Sequence, residues 1–131
     1  MRITCLDDDS GFLDLLRWAA EERGWQVSVH DEAVSALQEI PRLRPDVIML
    51  DLRLGPGLSG WDVIALLERD ARTVGMPIIV CSAAIDDLQR GQADLERRGI
   101  RFLPKPFDID DLYRIVEEVA AAATPRSVAG A

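Results

Sequence analysis

Lysine is almost missing from this chain. Of 15 Lys+Arg residues only Lys105 is a lysine, and histidine is represented by His30 alone. The two cysteines, Cys5 and Cys81, lie inside apolar runs with no histidine beside them. That pattern argues against a zinc centre and predicts buried free thiols in a reducing compartment. A single histidine without a serine or cysteine motif gives a catalytic triad no support, so His30 is expected as a surface imidazole at a strand end. Long apolar spans are absent, as is a charged leader followed by an apolar segment, so the expectation is a cytoplasmic chain with no membrane contact. Positive charge is also in short supply. The 23 acidic residues leave a net charge of −8, and the densest basic pair is Arg97-Arg98, which argues against nucleic acid as a direct partner.

What remains is an ordinary globular composition. With 131 residues, 48% hydrophobic and 29% charged, the chain is expected to form one domain around one buried core. Apolar runs of four or five residues alternate with segments of helical period, the pattern of βαβ units on a parallel sheet. Strands are expected at Ile3–Leu6, Gln26–Val29, Val47–Leu50, from Pro77 to Cys81, and Ile100–Leu103. The first helix starts at Ser10, turns Phe12, Leu13, Leu16, Ala19 and Ala20 inward, and stops at Gly24. A second runs from Glu32 to Leu43 with Ala33, Ala36, Leu37 and Ile40 inward. Val63, Ile64, Leu66 and Leu67 belong to a third. A weaker fourth spans Asp86–Arg98, where Gly91 costs about 1 kcal/mol relative to alanine. Asp108 caps the last, whose stripe is Leu112, Ile115, Val116 and Val119. Residues 1–121 are expected as the domain and 122–131 as a flexible tail or linker stub.

Four of the apolar runs end in residues suited to phosphate chemistry. The first leads into Asp7-Asp8-Asp9 and the third into Asp51. The fourth stops at Ser82, and the fifth leads through Pro104 to Lys105-Pro106-Phe107. In open parallel α/β sheets the site lies beyond the carboxyl ends of the strands. Lysine's flexible point charge differs from arginine's planar fork, so the one lysine marks a position that needs the former. A helix cap accounts for Asp9 or Ser10 but does not require three acids. A metal-assisted phosphoryl-transfer site is the reading that uses all of these residues.

Taken together and in this order, the motifs resemble the receiver domain of two-component response regulators, over about residues 2–121. The resemblance implies a (βα)5 doubly wound, flavodoxin-like fold with a five-stranded parallel sheet in the order 2-1-3-4-5. It implies that Asp51 accepts a phosphoryl group from a histidine kinase or histidine phosphotransfer protein. Asp8 and Asp51 would ligate Mg²⁺ together with the backbone carbonyl of Arg53, with Asp7 acting through water. Lys105 and Ser82 would contact the phosphoryl oxygens, and Ala83 would leave room for the donor. The Lys105-Pro106 peptide would be cis. Phe102 stands where the family carries an aromatic that turns inward with Ser82 on activation. The surface expected to change includes Arg97, Arg101, Asp111, Arg114 and Glu118, which could pair across a phosphorylation-dependent homodimer. Trp18, exposed on the first helix, is a candidate anchor for the kinase. Arg53 and Ala84 occupy the positions that influence phosphate lifetime. The chain would catalyse only its own phosphorylation and dephosphorylation.

One departure from the family pattern is the loop after Asp51, which reaches Gly60 in nine residues rather than eight. Gly55–Gly60 also matches G-x-G-x-x-G, but the following strand ends without an acid to hold a ribose. Asp7-Asp8-Asp9 contains the D-x-D of haloacid-dehalogenase-like phosphatases, with Asp7 as nucleophile. That reading wants Thr or Val where Gly11 stands, and its later acid pair, Asp110-Asp111, falls inside the last helix. A phosphorylation-independent adaptor is the third alternative, although this chain retains every acid and the lysine.

Overall fold

The computed structural model describes residues 1–83 and 85–129. Five strands, β1 (Arg2–Leu6), β2 (Gln26–His30), β3 (Val47–Leu50), β4 (Ile78–Ser82) and β5 (Arg101–Pro104), form one parallel sheet in the order β2-β1-β3-β4-β5. They alternate with α1 (Ser10–Arg23), α2 (Ala33–Leu43), α3 (Gly60–Arg69), α4 (Ile85–Arg97) and α5 (Ile109–Ala129). This is the expected doubly wound arrangement. Parallel strands need crossover helices, and those helices cover both faces of the sheet. All four residues of β3 are accordingly buried.

Alternate strand residues point to opposite faces and divide the interior into two cores. Ile3, Cys5, Val47, Met49, Ile79 and Cys81 pack with Phe12, Leu16 and Ala19 of α1 and Leu112 and Val116 of α5. Leu6, Ile48, Leu50, Ile78 and Val80 pack with Ala36 and Ile40 of α2, Val63 and Ile64 of α3, and Leu95 of α4. The expected inward face of α1 is buried at all five positions. Asp9 caps that helix, accepting the Gly11 and Phe12 N–H groups, and Gly24 ends it at φ +72°, a conformation glycine adopts without steric cost.

The structure adds detail to the sequence reading in four places. First, β5 starts at Arg101, because the Ile100 N–H closes the end of α4 on the Leu95 carbonyl at 2.9 Å. Second, Leu66 is 40% exposed: helical spacing puts it on the flank of α3, beside the buried Val63, Ile64 and Leu67. Third, His30 stands at the end of β2, as expected, but is half-buried and hydrogen-bonded to Ser28 at 2.9 Å and Ser35 at 3.3 Å. Fourth, α5 extends to Ala129.

Candidate functional site

Main-chain hydrogen bonds continue the ladders one residue beyond the strand ends and so fix the chemical residues. The Asp51 N–H donates to the Leu6 carbonyl at 3.1 Å, and the Asp7 N–H to that of His30 at 3.0 Å. The Lys105 N–H donates to the Ser82 carbonyl at 2.9 Å. Asp7 and Asp51 therefore follow the neighbouring strands β1 and β3, between which the direction of winding reverses. Such a reversal opens a crevice at the carboxyl edge of the sheet.

Three carboxylates there divide their oxygens in the same way. Asp7 Oδ1 accepts the Asp9 N–H at 2.9 Å, and its Oδ2 accepts Lys105 Nζ at 2.7 Å. Asp51 Oδ1 accepts the Arg53 N–H at 3.1 Å, and its Oδ2 lies 3.4 Å from Nζ. Asp9 Oδ1 accepts the Gly11 and Phe12 N–H groups, and its Oδ2 lies 3.9 Å from Nζ. One oxygen holds the backbone of its own loop while the other faces the sole lysine. The Lys105-Pro106 peptide preceding Phe107 is cis, as expected.

Asp7, Asp8 and Asp51 each place an oxygen within 4.8 Å of the others, the only metal-capable cluster among the described residues. Asp7 is fully buried and Asp51 8% exposed, whereas Asp8 faces solvent. Burial pushes the Asp7 carboxyl above the usual carboxylate range, although Lys105 and the Asp9 N–H pull it down. Burial also disfavours charge on Lys105. The hydrogen bond to Asp7 and the charges of Asp7, Asp51 and Asp9 outweigh it, and the ammonium is held above the usual lysine value. A single monovalent cation leaves net negative charge among these acids, and hard oxygen donors open to solvent suit a divalent cation.

Ser82 is buried at the end of β4, and Ala83 beyond it is exposed. Phe102 is half-buried on β5, opposite Val80 and packed on the core that α2, α3 and α4 cover. Ala84 lies outside the described residues. Gly60 brings α3 up to the site: a Cβ there would stand 2.2 Å from the Asp51 carbonyl oxygen, and its N–H donates to the Leu52 carbonyl at 2.8 Å. Asp110 and Asp111 sit in the first turn of α5 and are not in the acidic cluster, so they do not serve as its second acid pair. Burial raises both cysteine thiols, which removes them as thiolate nucleophiles. Trp18 is 52% exposed on α1. The basic residues of the expected switch face are paired within the chain: Arg97 with Asp94, Arg101 with Glu118, and Arg114 with Asp111.

The sequence reading missed two features. It took Phe12 as core only, yet its ring centroid lies 4.5 Å from Lys105 Nζ. It took Asp9 as a cap only, without its free oxygen toward Lys105. Helical periodicity marks a buried face but does not tell which ring on it meets a charge.

The family model for the response regulator receiver domain matches residues 3–117. The response regulator MprA of Mycobacterium leprae is 31% identical over 131 residues, covering 98% of this chain and 55% of that protein. The DNA-binding response regulator MtrA of Mycobacterium tuberculosis is 34% identical over 113 residues, covering 85% of this chain and 46% of that protein. The chain thus spans about half the length of the curated relatives it matches. Among solved structures, the receiver domain of a Francisella response regulator aligns with a TM-score of 0.79 at 26% identity, covering 93% of this chain and 98% of that one.

Proposed function

Since the chain belongs to the response regulator receiver domain family, we propose that it takes a phosphoryl group onto Asp51 from a histidine kinase or histidine phosphotransfer protein. The observation that carries this reading is the convergence of Asp7, Asp8 and Asp51, with Lys105 Nζ 3.4 Å from Asp51 Oδ2. An Asp51 carboxylate oxygen forms the new bond to phosphorus as the phosphorus–nitrogen bond to the donor imidazole breaks in line, and the imidazole leaves. Lys105 and the Ser82 hydroxyl receive the phosphoryl oxygens, which supplies charge and hydrogen bonds where negative charge develops. The Arg53 N–H keeps Asp51 oriented through its other oxygen.

Asp8, Asp51 and the main chain of Arg53 would hold Mg²⁺, with Asp7 reaching it through water; the donor set is all oxygen, as that ion requires. When bound, the cation neutralises charge on the carboxylates and the incoming phosphoryl group. Turnover is confined to the chain's own phosphorylation and dephosphorylation. A receiver served by a kinase of this kind works in the cytoplasm, and no helix among the described residues is long and apolar enough to cross a membrane. Residues 1–121 constitute the signalling domain and 122–131 its tail or linker, with neither nucleic acid nor membrane as a direct partner. The face formed by α4, β5 and α5 carries the output, to a partner or to a second phosphorylated copy.

Intact mass after acetyl phosphate and Mg²⁺ tests the reading. One added phosphoryl group is expected, and Asp51→Asn abolishes it. Full labelling of Asp51→Asn ends the proposal, and catalytic turnover that depends on Asp7 would return the phosphatase alternative.

A further inference from the structure

Lys105 meets an aromatic ring as well as the acids. Its side chain is 12% exposed, and Nζ stands 4.5 Å from the centroid of the Phe12 ring. The Phe12 ring in turn meets that of Phe107 edge to face, with centroids 5.9 Å apart and planes at 84°. Phe107 follows Lys105 by two residues, so one aromatic pair links the lysine's own loop to the first turn of α1. The Phe12 main chain is anchored as well, its N–H donating to Asp9 Oδ1 at 3.2 Å while Asp9 Oδ2 faces the ammonium. An aromatic face attracts a cation through its quadrupole, and more strongly when water is excluded.

We propose that Phe12 is a positioning residue for Lys105, its ring face holding the ammonium between Asp7 and Asp51 where the phosphoryl group arrives. This rests on the phosphoacceptor reading for its consequence but not for its geometry. The ring stands 4.5 Å from an ammonium whose side chain is only 12% exposed. With leucine in its place the apolar volume is largely kept but the quadrupole is gone. The stem is then free to draw away from Asp51 while it keeps its 2.7 Å hydrogen bond to Asp7, or to swing outward.

The chain's single lysine makes the test direct. Protein grown with ¹³C,¹⁵N-lysine gives one side-chain signal, that of Lys105. In the parent protein its ε-methylene protons should lie upfield of an exposed lysine, shifted by the ring current, with cross-relaxation to the Phe12 ring protons. Phe12→Leu should remove the upfield shift and slow acetyl-phosphate labelling at saturating Mg²⁺ by roughly fivefold. Leu13→Ala, a comparable loss from the buried face of α1, should leave both the shift and the labelling rate unchanged. An unshifted lysine signal in the parent protein overturns the proposal without need of any variant. So does a shift that survives Phe12→Leu, or a labelling rate that falls equally in Leu13→Ala. Failure of the parent protein to label at all instead refutes the phosphoacceptor reading, and the lysine spectrum still decides the geometry.

Discussion

Replacing Gly91 by alanine sets two effects of opposite sign against each other. In an unhindered helix interior the change stabilises by about 1 kcal/mol, because glycine gives up more backbone freedom. In α4, however, the added Cβ would stand 2.1 Å from Trp61 Cη2 and 2.6 Å from Cζ2. Ordinary contact begins near 3.4 Å, so the indole of α3 has to withdraw by more than an ångström. Trp61 is half-buried against the core beneath α2, α3 and α4 and can withdraw only by giving up packing. Overpacking of this kind costs about 1–3 kcal/mol. The net change for Gly91→Ala is therefore between about zero and 2 kcal/mol of destabilisation. The sign should reverse when the obstacle is gone: in a Trp61→Leu background the same substitution stabilises by about 1 kcal/mol. Urea unfolding of the four proteins, followed by far-UV circular dichroism because two of them lack the Trp61 indole, gives the coupling as a double-mutant cycle. A gain of about 1 kcal/mol in both backgrounds would refute the reasoning, since it would mean that the ring turns aside at no cost.

Asp8→Ala should weaken Mg²⁺ binding in a calorimetric titration without lowering the metal-free urea midpoint, since Asp8 is exposed and its removal relieves repulsion among the acids. The hydrogen bond from the Arg72 side chain, with the Arg72 N–H, holds the Asp70 carboxyl at about 2, below its usual 3.8. A carboxyl depressed in the folded state lends stability that is full above pH 3.8 and lost as pH falls through about 2. Urea midpoints of Asp70→Asn should thus lie below those of the parent at pH 5 and converge with them at about pH 2. Trp18→Ala should slow phosphotransfer from the cognate kinase and leave acetyl-phosphate labelling unchanged; equal loss with both donors would point to misfolding. Beryllofluoride with Mg²⁺ should move NMR signals at Phe102 and along α4, β5 and α5, and shifts confined to the acidic pocket would rule out that coupling.

The alternation of short apolar runs with helical periods was enough to determine the (βα)5 order, because period 2 and period 3.6 are local properties of side-chain placement. The chemistry was legible for a related reason. A parallel sheet brings every strand's carboxyl end to one edge, so Asp7, Asp51, Ser82 and Lys105 had to share it once the strands were recognised. Asp9 and Gly24 were likewise legible as the ends of α1, since capping depends on a few neighbouring residues. Only the tertiary structure decided what meets across elements. Helical spacing sets Leu66 and Leu67 on different sides of α3, and how that helix sits on the sheet decides which of them is buried. Gly91 reads as a defect within its helix, and the indole of another helix gives it a purpose. Phe12 reads as core until the loop after β5 carries Lys105 over its ring. Such contacts join residues far apart in the chain, and no local period records them. They depend on the relative placement of packed elements, which the summed burial of both cores fixes and no single segment encodes.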